Sequence, residues 1–134
     1  MIFLLVNTSY FPKKADPLEK EVIDAAEFLK AANLKGNKIY YHFPLFAYAY
    51  GENGLIKNTP IVHHSFAHLE DDIQQLLKPG DIIVRDSHFG PQEMHLPLKE
   101  LKDRQEFVKI KEFTSAEQLT DTYNEIEGVT IYQY

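Results

Sequence analysis

The sequence predicts an α/β fold built as one small domain, and three observations point there. Segments with helical apolar spacing alternate along the chain with short β-rich runs. One of those runs, Asp81 to Asp86, is apolar without interruption at Ile82, Ile83 and Val84, the pattern of a strand covered on both faces. The length of 134 residues suffices for one core but not for two. The expected architecture is a single domain over 1–134 with a mixed, mostly parallel sheet of about four to five strands and flanking helices.

Taken in order, Ile2 to Val6 is a short apolar run that reads as a first strand or, over 1–7, as the trailing end of a transmembrane helix. Asp16, Pro17 and Glu19 supply an N-cap, a first-turn proline and a capping-box acid in register. Leu18, Val22, Ala25, Leu29 and Ala32 then recur at helical spacing, which predicts a helix over about 17–33 closed near Gly36. Lys38 to His42 is a β-rich run, and Phe43 to Tyr50 a short helix or loop leading into the turn-rich Gly51 to Gly54. Ser65 is placed to cap a second helix carrying Phe66, Leu69, Ile73, Leu76 and Leu77, closed by Pro79 and Gly80. After the Asp81 to Asp86 strand, Leu98 to Arg104 suits one or two helical turns. Phe107 to Phe113 reads as a strand exposed on one side, Thr114 to Glu127 as a loop with a short helix, and Val129 to Tyr134 as a terminal strand. The last two strands are expected to form an antiparallel pair at one edge.

Composition narrows the function classes. With 44% hydrophobic and 25% charged residues the chain has the balance of a packed globular domain. A net charge of −6, with no basic stretch to neutralise phosphates, argues against nucleic acid as a partner. The absence of cysteine excludes disulfides, thiolate metal sites and a cysteine nucleophile, and is compatible with cytosol or periplasm.

In open α/β sheets, ligands bind beyond the carboxyl ends of the strands. Those ends would present Asn7, Thr8 and Ser9 from the first run, His42 from the second, and Asp86, Ser87 and His88 from the third. The run from Arg85 to Leu98 is the least generic part of the chain, because it mixes ionisable groups with backbone constraints. Gly90 permits a tight or left-handed turn, Pro91 fixes the next φ, and Phe89 offers a ring for a sugar face or apolar surface. The expected ligand-binding set is Asp86, Ser87, His88, Phe89, Gly90, Pro91 and Glu93, together with His42. The structural alternative has Asp86 capping the turn, His88 half-buried and hydrogen-bonded, and Phe89 filling the core.

His63, His64 and His68, with Asp86, His88, Glu93 and His95, are ligand types that suit zinc. His64 and His68 are spaced i, i+4, but no HExxH or comparable motif surrounds them, so neither a native metal site nor a cofactor is expected. Ser87 and His88 do not make a catalytic dyad, because adjacent side chains at a strand end diverge and no nucleophile elbow is present. Glu70, Asp71 and Asp72 read as the acidic start of a helix.

The stretch Lys78-Pro79-Gly80-Asp81-Ile82-Ile83-Val84-Arg85-Asp86-Ser87-His88-Phe89-Gly90-Pro91-Gln92-Glu93, continued by Leu96-Pro97-Leu98, resembles the soluble C-terminal region of certain bacterial multi-spanning membrane glycosyltransferases. Glu21 to Tyr41 is similar to the residues that follow the last membrane span in that group. The chain departs from the family pattern at Arg85, where tryptophan is usual, and at Gln92, where asparagine is usual. The family's catalytic carboxylates lie in loops among its membrane helices. The resemblance therefore implies a non-catalytic accessory domain on the periplasmic or extracytoplasmic side of a bacterial membrane. Its partners would be a glycan acceptor or lipid-linked sugar and the membrane portion of the same protein. Two other readings stand beside it. One is a cytoplasmic, stand-alone metal-assisted hydrolase built on His63, His64, Asp86 and His88. The other is a ligand- or protein-binding module whose contact surface is the aromatic passage Tyr40 to Tyr50.

Overall fold

The computed structural model describes residues 17–32, 34, 37–51, 59–114 and 128–134. In chain order they form α1 (Pro17–Ala32), β1 (Ile39–Tyr41), α2 (Pro44–Tyr50), β2 (Ile61–His63), α3 (Leu69–Gln75), β3 (Ile82–Asp86), α4 (Leu98–Lys102), β4 (Val108–Thr114) and β5 (Gly128–Gln133). The runs expected at Ile2 to Val6, at Asn7 to Ser9 and across 115–127 lie outside the described residues.

The five strands make one sheet in the order β2-β1-β3-β5-β4. β1 pairs in parallel with both β2 and β3, whereas β5 pairs antiparallel with both β3 and β4. The sheet is thus parallel in one half and antiparallel in the other, rather than mostly parallel. Its antiparallel half comes from the terminal strand β5, which returns between β3 and β4.

Alternation along the strands sorts two cores. Ile39, Tyr41, Ile82, Val84, Val129 and Ile131 face one side, where Val22, Ala25, Ala26 and Leu29 of α1 and Phe46 of α2 cover them. Tyr40, Ile83 and Tyr132 face the other, under Phe66, Leu77, Met94, Leu96, Leu101 and Phe107. All five residues of β3 are buried, as its uninterrupted apolar run requires. On α1 the opposite face carries the Lys20–Asp24 and Glu27–Lys30 pairs at 2.6 and 2.8 Å, so the helix is amphipathic in the sense its spacing predicts.

Two elements differ from the sequence reading. α3 begins at Leu69, with His68 as a cap that makes no side-chain bond, and not after Ser65. The cause is tertiary: the Phe66 amide donates to the Met94 carbonyl at 2.8 Å, which fastens 65–67 to the 86–97 segment and takes those residues out of the helix. β2 was not expected at all, because Ile61 and Val62 are too short an apolar run to signal a strand by themselves. β4 is the outermost strand at its end of the sheet, with a register shift between Lys109 and Lys111 and with Val108 and Ile110 exposed.

Candidate functional site

β2, β1 and β3 run in the same direction, so their carboxyl ends reach one edge of the sheet. The chain leaves β1 for β2 on one side and then crosses to β3 on the other, which puts a topological switch point between β1 and β3. A crevice outside the strand ends is expected at such a point.

Aromatic and imidazole rings gather there. His42, one residue past β1, stacks on Phe89 with ring centroids 5.5 Å apart and planes 13° from parallel. His63, the last residue of β2, meets His42 edge-on at 4.3 Å. Phe43 stands at 88° to Phe89 at 4.9 Å, and His88 meets Phe89 at 4.6 Å. His42 and Phe89 are half-buried, while His63 and His88 are exposed. The His42 Nδ1 atom is buried and has no hydrogen-bond partner among the described residues.

The end of β3 is built differently. Asp86 is 2% exposed, and its Oδ1 accepts the amides of His88 at 3.0 Å and Phe89 at 2.7 Å. Burial raises the Asp86 pKa above the ordinary carboxylate value, and the two amides, then Arg85 and His88, oppose that rise. Ser87 is also buried; its amide donates to the Gly128 carbonyl at 2.9 Å and its Oγ accepts the Gly128 amide at 3.1 Å. Both groups therefore serve the fold: one closes a turn and the other ties β3 to β5.

Gly90 is buried and closes a turn, its amide donating to the Asp86 carbonyl at 3.0 Å; of the tight or left-handed conformations expected, the left-handed one is not adopted, and the demand for glycine is steric. A Cβ at Gly90 would fall 2.3 Å from the Asp86 carbonyl oxygen and 2.6 Å from Arg85 Nε. Arg85, itself 2% exposed, donates from Nε to the Leu96 carbonyl at 3.0 Å. The Leu96 amide returns to the Gly90 carbonyl at 2.8 Å, so glycine is needed where the loop closes over the guanidinium. The exposed His95 carries the strain of this segment, at φ 53°. Pro91 is half-buried and Glu93 exposed.

Of the eight residues expected to bind ligand, the structure brings His42, His88 and Phe89 together and draws Asp86, Ser87 and Gly90 into the scaffold. His63 joins the rings without having been placed among the ligand-binding residues; its signal was the Ile61-Val62 pair running into a histidine. His64 departs to the opposite face of the sheet, where it meets Tyr40 and Phe66, so His63, His64, Asp86 and His88 do not form one constellation. Among the described residues no three or more His, Asp or Glu side chains are grouped to hold a metal ion. In the aromatic passage, Tyr40, Tyr41, Phe46 and Tyr50 are core, and only Tyr48 is widely exposed, at 83%.

Away from the rings, a groove of about 410 Å³ lies between α3 and α4, with Phe66, His68, Leu69, His95, Pro97 and Arg104 in its lining. Its cation is already engaged: Arg104 bonds Glu70 and approaches Glu100 at 3.5 Å. Comparison with family models, curated proteins and solved structures finds no match to this chain. Among the described residues no helix is long and apolar enough to cross a membrane.

Proposed function

We propose that this domain is a non-catalytic binding module, the accessory domain of a membrane glycosyltransferase, whose ring shelf receives a sugar of a glycan acceptor or lipid-linked donor. The observation that carries the reading is the near-parallel His42 and Phe89 pair at the β1/β3 switch point, with the unpartnered His42 Nδ1 beside it. The apolar face of a pyranose packs on such rings. The accessory role draws support from the fate of the reactive-looking groups. Asp86 Oδ1 and Ser87 Oγ both accept backbone amides, so these two oxygens are committed to the fold rather than to a reacting group.

The test is an NMR titration of the chain with short oligosaccharides and with water-soluble prenyl-phosphate sugars. Shifts centred on His42, His63 and Phe89, abolished by Phe89→Ala, are the expected result. Shifts confined to the α3–α4 groove would move the site, and glycosyl transfer by this chain alone, abolished by one of its own point substitutions, would defeat the accessory reading.

A further inference from the structure

On the face of β1 away from α1 and α2, three polar atoms on packed or neighbouring side chains are shut off from solvent. Tyr40 has no exposed surface, and its ring meets His64 edge-on at 5.7 Å and Phe66 at 5.8 Å. His64 Nε2 lies 3.2 Å from Asp72 Oδ2 of α3, yet the two do not meet in hydrogen-bond geometry. Tyr40 Oη, His64 Nε2 and Asp72 Oδ2 are all buried and have no hydrogen-bond partner among the described residues. Burial, and then the charges of Asp81 and Asp72, raise the Tyr40 pKa.

Leaving three such atoms bare would cost far more than α3 gains from packing. The helix has no fully buried residue and rests on the half-buried Leu69 and Ile73. What the atoms require of an occupant is specific. The carboxylate accepts only, the phenol donates or accepts, and the imidazole nitrogen does either according to tautomer. An anion is refused by Asp72, and an apolar group satisfies none of the three. Water, with two donors and two acceptors, fits a site of two to four polar partners.

We infer that Tyr40, His64 and Asp72 hold one internal water molecule that joins α3 to the sheet. Magnetic relaxation dispersion of solvent water on the intact chain counts long-lived internal waters without relying on exchangeable protein protons. Tyr40→Phe keeps the ring and removes one of the three partners. The variant is expected to show one long-lived water fewer, with amides of α3 exchanging about two- to tenfold faster, the range for one net hydrogen bond. An equal water count in the two proteins overturns the inference. So does a Tyr40 hydroxyl found bonded directly to the Asp72 carboxylate.

Discussion

Two halves of one sheet edge are put to opposite uses. At the end of β3, the polar atoms of Asp86 and Ser87 are spent on neighbouring backbone: Asp86 Oδ1 takes two amides, and Ser87 exchanges two bonds with Gly128. At the ends of β1 and β2, by contrast, the half-buried His42 and the exposed His63 bring their rings together at a partly open surface. The difference follows from neighbours. β3 is flanked by β1 and β5 and buried throughout, so its end must satisfy its own polar groups, whereas β2, outermost among the described strands, is half-buried at Ile61 and Val62 and exposed at His63. A clamp and a shelf sit side by side, with the clamp holding Phe89 against His42.

The largest expected effect breaks the clamp. Gly90→Val should lower stability by about 3 kcal/mol or more in urea unfolding, because the new atoms meet the Asp86 carbonyl and a bonded, buried Arg85. Gly90→Ala should also be harmful, since the collision begins at Cβ; a mild alanine variant would contradict the steric account.

Asp86→Ala comes next, at about 2 kcal/mol, for two amides left without an acceptor. Asp86→Asn separates the acceptor from the charge. Because burial raises the Asp86 pKa in the fold, its stabilising contribution is full below the ordinary carboxylate value and is lost as pH rises through the raised one. At neutral pH the asparagine variant should therefore be as stable as the parent or more so, and acidification through that window should shift the balance toward the parent. Thermal unfolding of both proteins over that pH series reads the crossing; parallel curves would deny the burial effect. The smallest expected effect lies on the shelf: exposed His88→Ala should change stability by less than about 0.5 kcal/mol while weakening sugar-induced shifts at Phe89. A loss of about 2 kcal/mol would assign His88 to the clamp.

Much of this fold was legible because local signals agreed with tertiary demands. α1 was announced by Pro17 and its apolar period, β3 by an unbroken aliphatic run, and the β4–β5 pair by late β-rich segments. What escaped depended on partners remote in sequence. The start of α3 was decided by the Met94 carbonyl, and β2 exists because β1 pairs with it. The site was half legible for the same reason. A sequence shows that Asp86 and Ser87 are polar groups at a strand end, but not that an amide 41 residues away at Gly128 will claim the serine. Arg85, which departs from the family pattern where tryptophan is usual, is a buried strut under Gly90 whose bond to the Leu96 carbonyl no local signal announces.

The edges of the sheet govern how the protein behaves in crowded solution. An open strand is a template on which another chain can continue the ladder, and long, flat, apolar edges invite that addition. Here β2 offers only three residues, and β4, the longer edge, is irregular between Lys109 and Lys111 where Ile110 is exposed. A charge on each side of a kink disfavours a second ladder at the place where the exposed valine and isoleucine would otherwise invite one. Among the described residues, the lysines and the irregularity of β4 thus disfavour the addition of a further strand along that edge.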